Sequence, residues 1–280
     1  MDKDKEYNKK GFVHIIVLFL IFVLIIAFFI YSPGTKDIAN IVMSTPTPYQ
    51  FPYKNPSILK NRSYRIIIVG DSVVASLGLN ANILRENLIK LYPDSEFVTY
   101  NYGYPSTNVL SLYPRLTETT NNNGTENVAA LKQGFEFIII ESFGYNPLSE
   151  YPLPEGLKKQ DEELERSVRA ILAEKPNVAM AFLTPIAPDP VNFARGTISL
   201  SPEVRKQWVE ERVAYINNHK KFAEEKGIPV IDVYKASLKS DGEVNRTYIS
   251  DDFVHPSKKG IELISKSIAD YIFANKIFPQ

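Results

Sequence analysis

The chain contains no cysteine, and its 280 residues include only three histidines and one tryptophan. Without thiols there is no disulfide, no zinc–thiolate site and no cysteine nucleophile, although this alone does not fix the compartment. Net charge is missing too, since 32 Lys and Arg are balanced by 32 Asp and Glu. A chain without a cationic surplus is poorly suited to neutralising phosphates, which argues against nucleic acid as the main partner. The phosphate-loop pattern G-x-x-x-x-G-K-[ST], the zinc-protease pattern H-E-x-x-H and the nucleophile elbow G-x-S-x-G do not occur. Neither does an internal repeat. Apolar material is not scarce: 44% of residues are hydrophobic and 23% charged, which suits a folded core.

One apolar run stands apart. Residues 11–31 read GFVHIIVLFLIFVLIIAFFIY, uncharged, with His14 as the single polar residue. Some twenty residues at about 1.5 Å each span about 30 Å, the thickness of a bilayer core. A core helix would be amphipathic, and a signal peptide would have a shorter apolar run ending at a small-x-small site. The expectation is therefore one uncleaved transmembrane helix. Lys3, Lys5, Lys9 and Lys10 precede it and only Lys36 follows closely, so residues 1–10 should be cytoplasmic and the bulk of the chain outside. Residues 32–62, rich in Pro, Ser, Thr and Asn, read as a flexible linker with a reach near 30 Å.

From residue 63 onward apolar runs alternate with amphipathic stretches. Strands are predicted at 64–69, 96–103, 135–142, 177–185 and 228–234. Helices are predicted at 80–92, 108–120 (broken or kinked by Pro114), 157–175, 201–227 and 257–276. Such alternation predicts an α/β domain over 63–280, with a five-stranded parallel sheet between two helical layers. Ligands bind such sheets beyond the carboxyl ends of the strands, so chemistry belongs in the residues just after each one.

Four segments sit at those positions. Gly70-Asp71-Ser72 follows the first strand, and Asn101-Tyr102-Gly103 ends the second. Gly144 and Asn146 follow the third, and Asp252 and His255 lie in the last loop. A serine hydroxyl needs a base to take its proton, and histidine is the usual one. That histidine needs a carboxylate to fix its tautomer. An ester's tetrahedral intermediate needs N–H donors. Ser72, His255, Asp252, Gly103 and Asn146 can fill these roles, with the dipole of a helix after Ser72 assisting.

"GDS", "NYG", "GYN" and "DFVH", in that order and spacing, resemble the four blocks of the SGNH (GDSL-type) hydrolases, and the resemblance covers residues 64–275. It implies a flavodoxin-like three-layer α/β/α sandwich and an acyl-enzyme mechanism on carboxylic esters. By the same resemblance Ser72 is the nucleophile, His255 the base and Asp252 its orienter. The oxyanion hole is then formed by Ser72, Gly103 and Asn146. No metal or organic cofactor is implied. The expected substrate is an ester of an envelope glycan or a lipid; acyl transfer to a surface sugar and a non-catalytic envelope module are the alternatives. There are departures: Pro147 stands where the third block usually has Asp, and Ser106 where the second often has a later glycine. The first block also lacks the glycine common soon after its serine.

Other polar residues receive ordinary readings. Asp71 is expected to hydrogen bond within its turn, Asp251 to be solvated, and His219 to lie on the polar face of its helix. Glu141 is either a satisfied strand-end carboxylate or a pocket lining. Segment 186–200 is long for a strand-to-helix connection, and reads equally as a lid, a substrate loop or an irregular excursion.

Overall fold

The computed structural model describes residues 51–280. The expected membrane span 11–31, the cytoplasmic tail and most of the linker lie outside the described residues. Among the described residues no helix is long and apolar enough to cross a membrane.

Among the described residues there are seven strands: β1 Ser63–Gly70, β2 Glu96–Gly103, β3 Thr120–Asn122, β4 Thr125–Asn127, β5 Phe137–Glu141, β6 Ala179–Leu183 and β7 Val230–Ile231. The helices are α1 Ser72–Ala75, α2 Asn82–Leu91, α3 Leu112–Thr117, α4 Leu153–Glu174, α5 Pro202–Lys226, α6 Val233–Ala236 and α7 Lys258–Ala274. Five strands form one sheet in the order β2-β1-β5-β6-β7, with every pairing parallel. This is the flavodoxin-like order, with β1 central and the chain reversing direction beside it.

The run of isoleucines in β1 explains its central place. Ile66 and Ile68 pack on one face with Leu84 and Leu88 of α2 and Ile264 and Ile268 of α7. Ile67 and Val69 pack on the other with Leu116 of α3 and Leu164 and Val168 of α4. All four β1 side chains are fully buried, each contributing about 1.5–3 kcal/mol relative to exposure. Helix α5 serves both clusters, giving Ile216 to the first and Tyr215 and Phe222 to the second. Its ends follow the sequence signals: Ser201 caps the start by accepting from the Val204 amide, and Gly227 closes it with a left-handed φ of 70°.

The last strand is only Val230–Ile231 and not 228–234, because Asp232 caps a helical turn over Val233–Ala236; beyond that, the structure departs from expectation in four places. Residues 51–62 are not free linker: Tyr53 is buried, its amide donates to the Lys226 carbonyl at 2.7 Å, and Asn55 Oδ1 accepts the Met180 amide at 2.9 Å. Helix α3 is not broken by Pro114, which falls in its first turn, where the missing N–H costs nothing. The predicted helix 108–120 instead ends at Thr117, and a β3–β4 hairpin follows around Asn123-Gly124. Both turn residues have positive φ, 51° and 83°, as a tight Asn-Gly hairpin demands.

The fourth departure is His219. It is not on a polar surface but fully buried, stacked on Phe182 with ring centroids 4.2 Å apart. Burial pushes its pKa down to about 3, against an opposing pull from the Ile140 carbonyl, so the ring is neutral.

Candidate active site

The four sequence segments all reach the carboxyl edge of the sheet. β1 and β2 run in register to a Gly70–Gly103 pairing, so the turns that follow them start side by side. Asp71 is the cap of α1: its buried carboxylate accepts the Val73 amide at 2.8 Å. This places Ser72, half-buried, at the first helical position. Helix α1 is only four residues long, so the dipole anticipated behind Ser72 amounts to one turn.

The other oxygen of Asp71 accepts the Asn146 side-chain amide at 2.9 Å. One buried carboxylate therefore ties the serine turn to the third-block loop. An amide group has two N–H donors, so Asn146 keeps one beyond this bond. Asp71 thus does more than close its own turn.

Beneath this bond lies a polar layer in an otherwise apolar interior. Glu141, at the end of β5, is fully buried and accepts from Ser142 Oγ at 2.7 Å and the Phe143 amide at 2.9 Å. It is a satisfied strand-end carboxyl, not a pocket lining. Burial, reinforced by the charge of Asp71, pushes its pKa well up. Burial raises Asp71 as well, but the Val73 amide, Asn146, Arg115 and His255 pull it back.

Arg115 supplies the balancing cation, 1% exposed. Its guanidinium donates to the Gly70 carbonyl at 2.5 Å, the Tyr102 carbonyl at 2.9 Å and Ser111 Oγ at 2.7 Å, and it also bonds Thr107. It lies over the Tyr104 ring, 4.1 Å from the centroid. Burial lowers its pKa to about 10, leaving it charged at neutral pH. Arg115 clasps the ends of β1 and β2 together, a role that sequence reading missed. One arginine in a short helix gives no such signal.

In the last loop His255 Nδ1 lies 2.7 Å from Asp252 Oδ2, the three-residue spacing bringing ring and carboxylate together. Asp252 Oδ1 accepts the Val254 and His255 amides at 2.8 and 2.9 Å and Ser250 Oγ at 2.5 Å. Burial works to raise the Asp252 pKa, but these donors outweigh it and hold the group well below the usual carboxylate range. Asp251 is exposed, as expected.

Two expected features take a different form. The Gly103 amide is not a free oxyanion donor, because it donates to Asn101 Oδ1 at 2.7 Å. The residue is glycine for packing: a Cβ there would sit 2.2 Å from the Ala75 amide nitrogen. Ser106, standing where a glycine was anticipated, adopts the glycine conformation anyway, with φ of 58°. Among the described residues Ser72 Oγ makes no hydrogen bond, so Ser72 and His255 are not in direct contact. Catalytic hydrogen bonds often tighten only once substrate is bound.

No family model and no curated protein matches the chain. Solved structures do. A lipase/acylhydrolase from Enterococcus faecalis superposes with a TM-score of 0.54 at 20% identity, covering 76% of this chain and 96% of its own. An acetyl xylan esterase gives 0.55 at 14% identity, covering 74% and 99%. A lipolytic protein of the G-D-S-L family from Desulfitobacterium hafniense gives 0.50 at 18% identity, covering 77% and 99%. The five-stranded parallel sheet, its strand order and these likenesses agree: the described domain has the SGNH hydrolase fold.

Proposed function

We propose that this chain is a serine esterase that hydrolyses carboxylic esters outside the cell, held at the membrane by residues 11–31. The observation that carries the reading is the grip on His255. Three donors and one ring nitrogen converge on Asp252, fixing the imidazole with Nδ1 engaged and Nε2 left to act as base. Ser72 Oγ attacks the ester carbonyl carbon while His255 takes its proton. The oxyanion is received by the Ser72 amide and the second N–H of Asn146, which Asp71 orients. Collapse expels the alcohol, protonated by His255, and leaves an acyl-Ser72 ester that water hydrolyses by the same route. The Gly103 amide joins the oxyanion hole only if Asn101 releases it.

The lipase/acylhydrolase and the acetyl xylan esterase among the structural neighbours support an ester substrate. For a domain outside the membrane this means O-acetyl groups of envelope glycans or acyl esters of lipids, with transfer to a surface sugar as a variant of the same acyl-enzyme. A non-catalytic module is the second reading, favoured by the missing Ser72–His255 contact and the engaged Gly103 amide.

Turnover of p-nitrophenyl acetate and laurate by the full chain in a non-ionic detergent separates the two. Activity falling by about 10³-fold or more in Ser72→Ala is expected. Equal rates in wild type and variant, with no fluorophosphonate labelling of Ser72, would leave the non-catalytic module standing.

A further inference from the structure

Segment 186–200 is built rigidly, not hung as a flap. Asp189 is 2% exposed and accepts the Val191 amide at 2.9 Å, the Asn192 side chain at 2.8 Å and Arg246 Nε at 2.7 Å. The Phe193 amide closes back on the Asp189 carbonyl at 2.9 Å, and the Thr197 and Ile198 amides both donate to the Ala194 carbonyl at 3.1 Å. The segment also leans on the catalytic loops. The Ala194 amide donates to the Phe253 carbonyl at 3.3 Å, two residues before His255. Phe193 meets the Tyr145 ring edge-on, centroids 5.8 Å apart, beside Asn146.

Between this segment and the start of α5 lies a cavity of about 620 Å³. Val191 and Leu200 supply apolar wall, Arg195, Arg205 and Lys206 supply charge, and no carboxylate lines it. Arg205 is 7% exposed, yet its guanidinium reaches only the Phe193 and Leu200 carbonyls and forms no ion pair among the described residues. Arg195 bonds Asn192 Oδ1 at 3.0 Å, and Lys206 makes only a solvent-exposed pair with Glu210 at 3.7 Å. A buried guanidinium without a counter-charge is costly, and an anion offsets the cost.

We propose that this cavity is a subsite for an anionic group, phosphate or carboxylate, carried by the ester substrate. The proposal rests on the esterase reading and extends it to substrate class. Segment 186–200 then links recognition to chemistry, since one side borders the cations and the other touches Phe253 and Tyr145.

The test has two arms on the full chain in non-ionic detergent. Calorimetric titration with inorganic phosphate reads the site without turnover. Saturable binding, weakened about tenfold or more in Arg195→Ala/Lys206→Ala and kept in Arg195→Lys/Lys206→Arg, is expected. No saturable binding by the wild type, or equal binding by the alanine variant, overturns the proposal. The second arm compares kcat/KM for glycerol monoacetate against acetylglycerol phosphate, and for monolauroylglycerol against lauroylglycerol phosphate. A preference of about tenfold for the phosphate member is expected in one pair, lost in the alanine variant. The acetyl pair would assign a soluble polyol phosphate and the lauroyl pair a lipid headgroup; preference in neither overturns the subsite. Neutral p-nitrophenyl acetate serves as the ester that carries no anionic group. If that ester is inert to wild type while phosphate still binds, the esterase reading has failed and the anion site has not.

Discussion

The loop around His255 and the middle of α5 around His219 hold the same side chain under opposite conditions. His255 is 42% exposed and grips a carboxylate at 2.7 Å. His219 has no exposure, lies flat on Phe182 and is surrounded by apolar packing. The first surroundings let a proton arrive and give its charge a partner; the second forbid the charge. What makes a histidine a candidate base here is not its ring but its access to solvent and an anchored carboxylate. The same contrast appears between Asp252, depressed by donors, and Glu141, pushed up in the interior.

The most forceful way to break this contrast is to truncate each ring. His255→Ala should lower p-nitrophenyl acetate turnover by about 10³-fold, with little change in thermal stability. His219→Ala should do the reverse, costing about 2–4 kcal/mol through the cavity it leaves while turnover per folded molecule stays within about twofold. Denaturant melts beside initial rates read both. Should His219→Ala abolish turnover in molecules shown to be folded, the buried ring would have a function that its surroundings conceal.

A gentler test uses pH. His219 is neutral when folded, with a pKa of about 3, but takes a proton near 6.5 when unfolded. Between these values the unfolded state binds the extra proton, so stability falls as pH is lowered. From pH 7 to pH 4.5 this residue alone removes about 3 kcal/mol. His219→Phe keeps the stack on Phe182 and lacks the titration, so the gap between variant and wild type should widen by that amount over the interval. Parallel stability curves would show that His219 is not held neutral.

Much of this was legible beforehand. The unbroken β-branched run of β1 marked a strand buried on both faces, and Ser201 and Gly227 marked the ends of α5 to the residue. The site segments could be found because strand ends in this fold converge whatever the intervening sequence. His219 was misread because its neighbours Asn217, Asn218, Lys220 and Lys221 are polar. Tyr215, Ile216 and Phe222, at helical spacing from it, carried the correct signal. The fate of the Gly103 amide was not legible, since it depends on where the Asn101 side chain turns. The clasp of Arg115 was hidden for a similar reason, being a contact among Gly70, Tyr102 and Thr107 that no spacing rule anticipates.

The smallest expected effect concerns the backbone. Ser106, Phe143, Ala194 and Phe253 all have φ between 54° and 58°, and each lies in a loop beyond a strand of the main sheet. Within α5, around His219, no residue has positive φ. A non-glycine residue in this conformation costs about 1–2 kcal/mol, so each of these four loops carries such a cost. Ala194 is the cleanest place to release it, because glycine removes only one methyl from a residue whose N–H donates to the Phe253 carbonyl. Ala194→Gly should raise stability by about 0.5–1 kcal/mol, strain relief outweighing the added freedom of the unfolded chain. Ala194→Val should lower it, a β-branched side chain being worse in that conformation and the site being buried. If the left-handed turn serves only to seat segment 186–200 against Phe253, the glycine variant keeps wild-type turnover. A loss of turnover in a more stable protein would instead mean that the turnover depends on the strain itself, a property the region around His219 has no means to supply.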